Sequence, residues 1–501
     1  MSEKMMIGLA EVDITPLKTV ALVGQFYERI SEYVETPLKM EALVVKKGDE
    51  QMTLIACDLT SISDTYVDMV REAAKDVPGF DPAKLMMHAT HTHTSHTYAP
   101  AQKNTKNMAG GLAVLERYMK EGAYHSLTEG RKPEWSAKDS LEFLVKKGAE
   151  AVKAAWENLH SARLVYGFGR AAIGMCRRAV YDDGTAKMWG DTNLSNFREL
   201  EGGNDSGIEL CYVFDDDNKC EAVMANIACP SQILEHRSFV SSDFWGKLRI
   251  LLKEKFGDDF KVIGTCSPAG DMCPRDLIRW VDPETPVNDP NIKHLTHIDR
   301  NADPSMFDIK GTWKAGKRLF NEIWDTYEEI MEEERAADPC EVFEHQVLTI
   351  DLPLRKVTIT EYEYALEKIM QFVKEHETFT YEEKAQMHVH AGTAARYENQ
   401  QTRDIFPIEV HVIRLGNVAF ATCPFEMFLD YGNQIRARSL ATQTFLIQQC
   451  NGGYGYLPTE KAEKGSHYSA YVSSGNVGHV GGEMYVRKVT DSINKMFGRE
   501  I

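Results

Sequence analysis

The chain has 501 residues, 43% hydrophobic and 26% charged, a balance that supports a packed core and excludes a disordered or fibrous protein. Asp and Glu number 75 against 57 Lys and Arg; the resulting net charge of -18 repels phosphate backbones and anionic headgroups, so neither nucleic acid nor a membrane surface is expected as a partner. Apolar runs such as residues 53–56 fall far short of the ~20 needed to cross a bilayer, and the opening MSEKMMIGLAEVDITP lacks the apolar stretch of a signal peptide. Ten cysteines without paired short spacings argue for reduced thiols rather than a disulfide framework. A cytoplasmic location is expected.

The pattern predicts a strand near residues 6–12, then strands at 41–45 and 53–57 joined as a hairpin through Lys47, Gly48 and Asp49. A helix near 66–75 and a strand at 85–90 follow. The middle reads as a helix at 140–159, strands at 164–168, 208–214 and 222–227, and a helix at 244–256. A strand at 261–265 runs into CSPAGDMCPR, where Pro268, Gly270 and Pro274 force a shaped loop. Residues 313–336 and 361–397 read as helices; the acidic stretch 328–334 is a solvated helix face. The last third predicts strands at 409–415, 418–422 and 444–448, a helix after Pro424, and a final helix at 484–497. No repeat or long linker divides the chain, so one domain over 1–501 is expected, of the α/β (α+β) class, with mixed β-sheets flanked by helices and a helical elaboration at 361–397.

The densest chemical signal is ATHTHTSH, residues 89–96, where three of the 16 histidines fall within six positions just after an apolar strand. In extended chain His91 and His93 point to the same side, so both can face one ion or one substrate; a solvated Thr/His-rich loop is the alternative. A zinc site takes four ligands, or three and a water, so the cluster has to be completed from elsewhere. Glu426, after Cys423, Pro424 and Phe425 at a strand-to-helix junction, and Cys229, at the end of NIACPSQ, are candidates.

The chain resembles the catalytic domain of the neutral, non-lysosomal ceramidases, zinc amidases that cleave an N-acyl bond. The resemblance runs through EVDITP, the PL..EALVV segment leading to CDL, ATHTHTS, GDMCP, PFE and the Tyr-rich GYGYLPTEKAEKGSHY. It implies His91, Glu426 and Tyr456 as metal ligands, His93 and Tyr468 facing the substrate, and Arg177 of GMCRR in the pocket. Two positions depart from the family. Cys229 stands where its second zinc histidine falls, fourteen residues before Asp243, with His236 and His93 as substitutes for that ligand. Cys273 stands in place of a pocket serine, supplying a hydrogen bond or a nucleophile. A thiolate beside Glu426 and an ionised Tyr456 would weaken the Lewis acidity of the metal. Asp243 and Asp271 read as acids that shape loops or support the ligands from behind, and not as ligands themselves.

No segment matches the family's immunoglobulin-like C-terminal domain, and no lipid anchor or basic amphipathic helix is evident, so a small soluble substrate is expected in place of a long-chain lipid. The expected function is zinc-dependent hydrolysis of an amide or ester of a small polar molecule; the donor types do not separate zinc from manganese or iron. Two alternatives stand beside it: a metal-dependent lyase or isomerase on a sugar-like or hydroxy-carbonyl compound, and a binding protein without catalysis.

Overall fold

Apolar residues on both faces of the N-terminal strands require cover on two sides. Along the strand Lys39–Lys47, Met40, Ala42 and Val44 face one core, whereas Leu43 and Val45 face another. The computed structural model, which describes residues 4–98, 111–123, 131–281, 301–302 and 308–498, shows how both faces are buried.

Eight strands form a mixed sheet in the order Lys261–Cys266, Cys220–Ile227, Gly207–Asp215, His160–Arg170, Met6–Asp13, Lys39–Lys47, Glu50–Cys57 and Leu85–Ala89. The two outermost pairs are parallel and the inner pairings antiparallel. The sheet curls until its edges meet: the His88 ring on one edge strand bonds the Gly264 carbonyl on the other at 2.9 Å. A second sheet, Phe343–Pro353, Ile405–Leu415, Val418–Cys423 and Gln443–Gln448, stacks on the first. Leu43, Leu54, Val213 and Ile263 of the first sheet share a core with Ile413, Phe420, Phe445 and Ile447 of the second.

Helices cover the outer faces. Asp64–Ala74 and Ala137–Glu157 pack on one half of the larger sheet, and Asp243–Phe256 and Asp308–Glu332 on the other. Leu429–Arg438 and His479–Met496 pack on the smaller sheet through Ile435, Tyr485, Val489 and Ile493. The result is a helix, sheet, sheet, helix layering with mixed sheets, the α/β class expected from the alternation of elements.

Three departures from the expected elements have local causes. The helix expected over 361–397 is broken into Ile359–Glu375, Tyr381–Gln386 and His388–Asn399. Thr380 and Glu383 form a reciprocal capping box that starts a new helix. The strand Phe343–Pro353 was not foreseen; it is an edge strand whose residues alternate only partly between buried and exposed. Arg178–Tyr181, Ala186–Met188 and Phe197–Leu200 form a small sheet from strands too short to show a period.

His88 and His96 are fully buried, and burial lowers each from 6.5 to about 4. The unfolded chain takes up these protons below 6.5 while the folded chain does not. Their contribution is therefore complete above pH 6.5 and is lost as pH falls toward 4, at up to about 1.4 kcal/mol per histidine per pH unit. Urea unfolding at pH 7.5, 6.5 and 5.5 is expected to show little change over the first interval and a clear fall over the second. Stability that holds constant down to pH 5 contradicts the burial of both rings as neutral groups.

Candidate functional site

The segments that leave neighbouring strand ends carry the chemistry. Leu85–Ala89 feeds His91 and His93, Val418–Cys423 feeds Glu426, and Gln443–Gln448 feeds the loop that reaches Tyr456. The two-residue strands Glu426–Met427 and Tyr456–Leu457 pair in parallel with Glu426 directly opposite Tyr456, which sets the acid and the phenol side by side. A cavity of about 250 Å3 is lined by Thr60, His91, His93, Glu426, Tyr456 and Tyr468, among others. An adjoining cavity of about 260 Å3 shares His93, Tyr456 and Tyr468 and adds Arg177, Trp189, Gln232 and Glu235.

His91 adopts a left-handed backbone conformation (φ 68°), uncommon for any residue but glycine. Its peptide N–H bonds the Leu59 carbonyl at 3.0 Å and its Nδ1 the Thr60 carbonyl at 2.6 Å. A carbonyl only accepts, so Nδ1 carries a proton, and in the neutral ring Nε2 is the bare nitrogen. That Nε2 lies 3.6 Å from Glu426 Oε2 and 3.2 Å from His93 Nε2. The turn that offers Thr60 is held from below: Asp58 accepts both Nη groups of buried Arg249, at 2.7 and 3.2 Å, and the Thr90 hydroxyl at 3.2 Å.

His93 is fixed on every side. Arg29 donates to its carbonyl at 2.7 Å, and its ring lies against Gly24, where an added Cβ would come within 2.5 Å of Cγ. Gln232 Oε1 accepts from Arg177 at 3.3 Å, so the Gln232 amide nitrogen is the atom that donates to His93 Nε2 at 2.8 Å. On the other side Glu235 Oε2 stands 3.5 Å from Nδ1. Burial, with His91, Arg29 and Arg177 nearby, pushes His93 well below the ordinary imidazole range.

Arg177 donates to the Gly270 carbonyl at 2.9 Å and to the Tyr456 hydroxyl at 3.3 Å. Burial, then Glu426 and Tyr468, raise Tyr456 well above the ordinary phenol value; Arg177 acts the other way. Tyr468 meets the Tyr456 ring edge-on at 5.6 Å. It sits in a strained stretch where Ser466, His467 and Ser469 all have positive φ. Arg178 pays for that strain: fully buried and paired with Glu201, it donates to the carbonyls of Ser466 (2.7 Å) and Tyr468 (2.8 Å).

The structure thus brings His91, His93, Glu426, Tyr456 and Tyr468 to one cavity and Arg177 to the next. The two cysteines lie near Arg177 but outside both linings. The Cys229 thiol is directed at the Pro230 carbonyl (3.5 Å) and the Cys273 thiol at the Arg275 carbonyl (3.4 Å), and neither lines the described cavities. Burial raises both thiols, Cys273 to about 12, so neither is a ready nucleophilic thiolate in the metal-free protein. His236 is likewise absent from both linings. Asp243 and Asp271 shape loops as expected: Asp243 accepts from Leu234 and Phe244 N–H (2.9 and 2.7 Å), Asp271 from Leu429 N–H (2.8 Å). Sequence reasoning missed Thr60, Gln232, Glu235 and Gly24; Gln232 and Glu235 follow Cys229 within six residues, the one clue to them.

Among the described residues no three His, Cys, Asp or Glu side chains form a closed group at metal-holding spacing. The donor set nonetheless fits a metal in chemistry. His91 presents a bare, oriented Nε2 toward Glu426, with Tyr456 in register beside that acid.

No family model and no curated protein matches the sequence. Among solved structures the fold is similar to neutral ceramidase from Pseudomonas aeruginosa, with a TM-score of 0.66 and 15% identity over 100% of this chain and 75% of that one. It is also similar to a ceramidase complexed with C2, with a TM-score of 0.65 and 14% identity over 98% and 74% of the two chains. The architecture is therefore the neutral-ceramidase fold, as the sequence resemblance implies.

Replacing Arg178 by Leu leaves Glu201 buried without its partner and frees the carbonyls of the Tyr468 segment. The expected loss is about 3–5 kcal/mol in urea unfolding. A loss below about 1 kcal/mol, the range of an exposed pair, contradicts the role given to Arg178.

Proposed function

We propose that this protein is a metal-dependent hydrolase, with zinc as the favoured ion, that cleaves an amide or ester bond of a small polar substrate. The observation that carries the reading is the bare His91 Nε2, buried and aimed at Glu426, with Tyr456 opposite that acid. His91, Glu426 and Tyr456 would hold the ion. The fold shared with neutral ceramidase supports a hydrolase of that type. When bound, zinc supplies a Lewis acid for the scissile carbonyl and brings the pKa of a water molecule to about 7.

The chain's own groups do the rest. Glu426 and Tyr456 sit on paired strands, so acid and phenol keep a fixed spacing. The Arg177 guanidinium beside the Tyr456 hydroxyl opposes the effect of burial on that phenol, and with the Tyr468 hydroxyl it offers donors to charge developing on the substrate oxygen. The cavities of about 250 and 260 Å3 adjoin through His93, Tyr456 and Tyr468, and together they offer the room of an ordinary small-molecule site, ~300–1,000 Å3. No helix among the described residues is long and apolar enough to cross a membrane. A cytoplasmic setting suits ten cysteines that are all free and buried.

The test is metal analysis joined to turnover on a panel of short N-acyl amides and esters. The wild-type protein is expected to hold one zinc per chain, and His91→Ala to lose both the zinc and at least about 100-fold in kcat/KM. Turnover in isotopically labelled water is expected to place solvent oxygen in the product acid. Product formed without label would point to lyase or isomerase chemistry. His91→Ala protein with full zinc and full turnover would contradict the reading.

A further inference from the structure

Both imidazoles of the His91–His93 pair are turned so that their Nε2 atoms face each other across 3.2 Å. The partners on the far sides determine what those atoms are. His91 Nδ1 donates to the Thr60 carbonyl, and His93 Nδ1 faces the Glu235 carboxylate at 3.5 Å. Because Arg177 fixes the Gln232 oxygen, the Gln232 amide N–H points at His93 Nε2, which is then an acceptor. With both rings neutral, two nitrogen lone pairs confront one another in a cavity wall, an arrangement that a shared cation relieves.

The spacing suits one ion. Two nitrogens bound to zinc at about 2.0–2.1 Å with a tetrahedral angle stand about 3.3–3.4 Å apart. The observed 3.2 Å needs almost no movement, and Glu426 Oε2 lies 3.6 Å from the same His91 nitrogen. Behind the His91 ring stands a backbone carbonyl that accepts Nδ1–H, the support that metal-bound histidines characteristically have; the Glu235 carboxylate lies 3.5 Å from His93 Nδ1, near that nitrogen but not hydrogen-bonded to it. Gly24 against the His93 ring and Arg29 on its carbonyl hold the imidazole in that plane. The Cys229 thiol, aimed at the Pro230 carbonyl, has no such direction.

We infer that His93 supplies the second nitrogen ligand of the metal centre, in the role that its position in the chain assigns to Cys229, so that the ligand set is His91, His93, Glu426 and Tyr456. The inference rests on the metal-dependent reading above. Exchanging a thiolate for a neutral imidazole removes one negative charge from the set and restores the Lewis acidity that a thiolate would dampen. The Gln232 amide is the group that yields its place to the ion.

Cobalt(II) added to the purified full-length protein tests this without any substrate. The wild-type spectrum is expected to show d–d absorption of one low-symmetry site per chain and no thiolate-to-cobalt charge-transfer band. Cys229→Ser is expected to keep both spectrum and affinity. His93→Ala and the volume-keeping His93→Gln are expected to weaken cobalt binding at least about 10-fold and to alter the d–d envelope, with urea midpoints checking that each is folded. A thiolate band that vanishes in Cys229→Ser, or an unchanged spectrum and affinity in both His93 variants, overturns the inference and leaves the metal reading standing. Failure of wild-type protein to bind cobalt, or binding that is indifferent to His91→Ala, overturns the metal reading and this inference with it.

Discussion

The hydrogen bond from His91 Nδ1 to the Thr60 carbonyl is the constraint on which the site depends. It assigns the ring proton, turns Nε2 into the cavity and ties the histidine loop to the turn that follows Glu50–Cys57. Neither side of that bond stands alone. His91 reaches it only through a left-handed backbone, and Thr60 is held by a turn whose Asp58 is locked to Arg249 in the helix Asp243–Phe256. A buried guanidinium between Asp58 and Glu41 is a weak source of net stability, but losing one member leaves an uncompensated charge. Its value here is in fixing where the Thr60 carbonyl points.

The two-sheet architecture explains why residues more than 300 positions apart meet. Parallel pairs lie at both edges of the larger sheet and at one edge of the smaller, so several strands deliver their C-terminal ends to the same end of the sandwich. Curling of the larger sheet, seen in the His88 to Gly264 bond, brings the two edges and their loops together. The Asn226 side chain reaches across the sandwich to the Leu446 carbonyl at 2.8 Å, and Asn451 to the peptide N–H of Met87. These cross-sheet bonds set the height of one loop against another, and with it the distance between the histidines and Glu426.

Much of this was legible in the sequence, for reasons that differ by residue. Strands 208–214 and 222–227 were evident because they are apolar on both faces, and the histidine cluster because a strand delivers it. Glu426 and Tyr456 were placed by likeness of motif; no periodicity says that they pair in register. Cys229 was assigned by counting back from Asp243, but counting fixes a Cα and not the direction of a side chain, and the thiol points at the Pro230 carbonyl. His93 was expected to face the substrate, yet the bond that sets its tautomer comes from Gln232 and the acid beside its Nδ1 is Glu235, residues without a recognisable motif. The break in the 361–397 helix was written in Thr380 and Glu383, whose spacing is that of a capping box inside an otherwise continuous helical pattern.

The most direct test of the account is an anomalous difference map from a crystal of this protein soaked in zinc. The account predicts one strong peak about 2.0–2.1 Å from both His91 Nε2 and His93 Nε2, within bonding reach of Glu426 and the Tyr456 hydroxyl. A peak at Cys229 or elsewhere, with none between the two imidazoles, would contradict it.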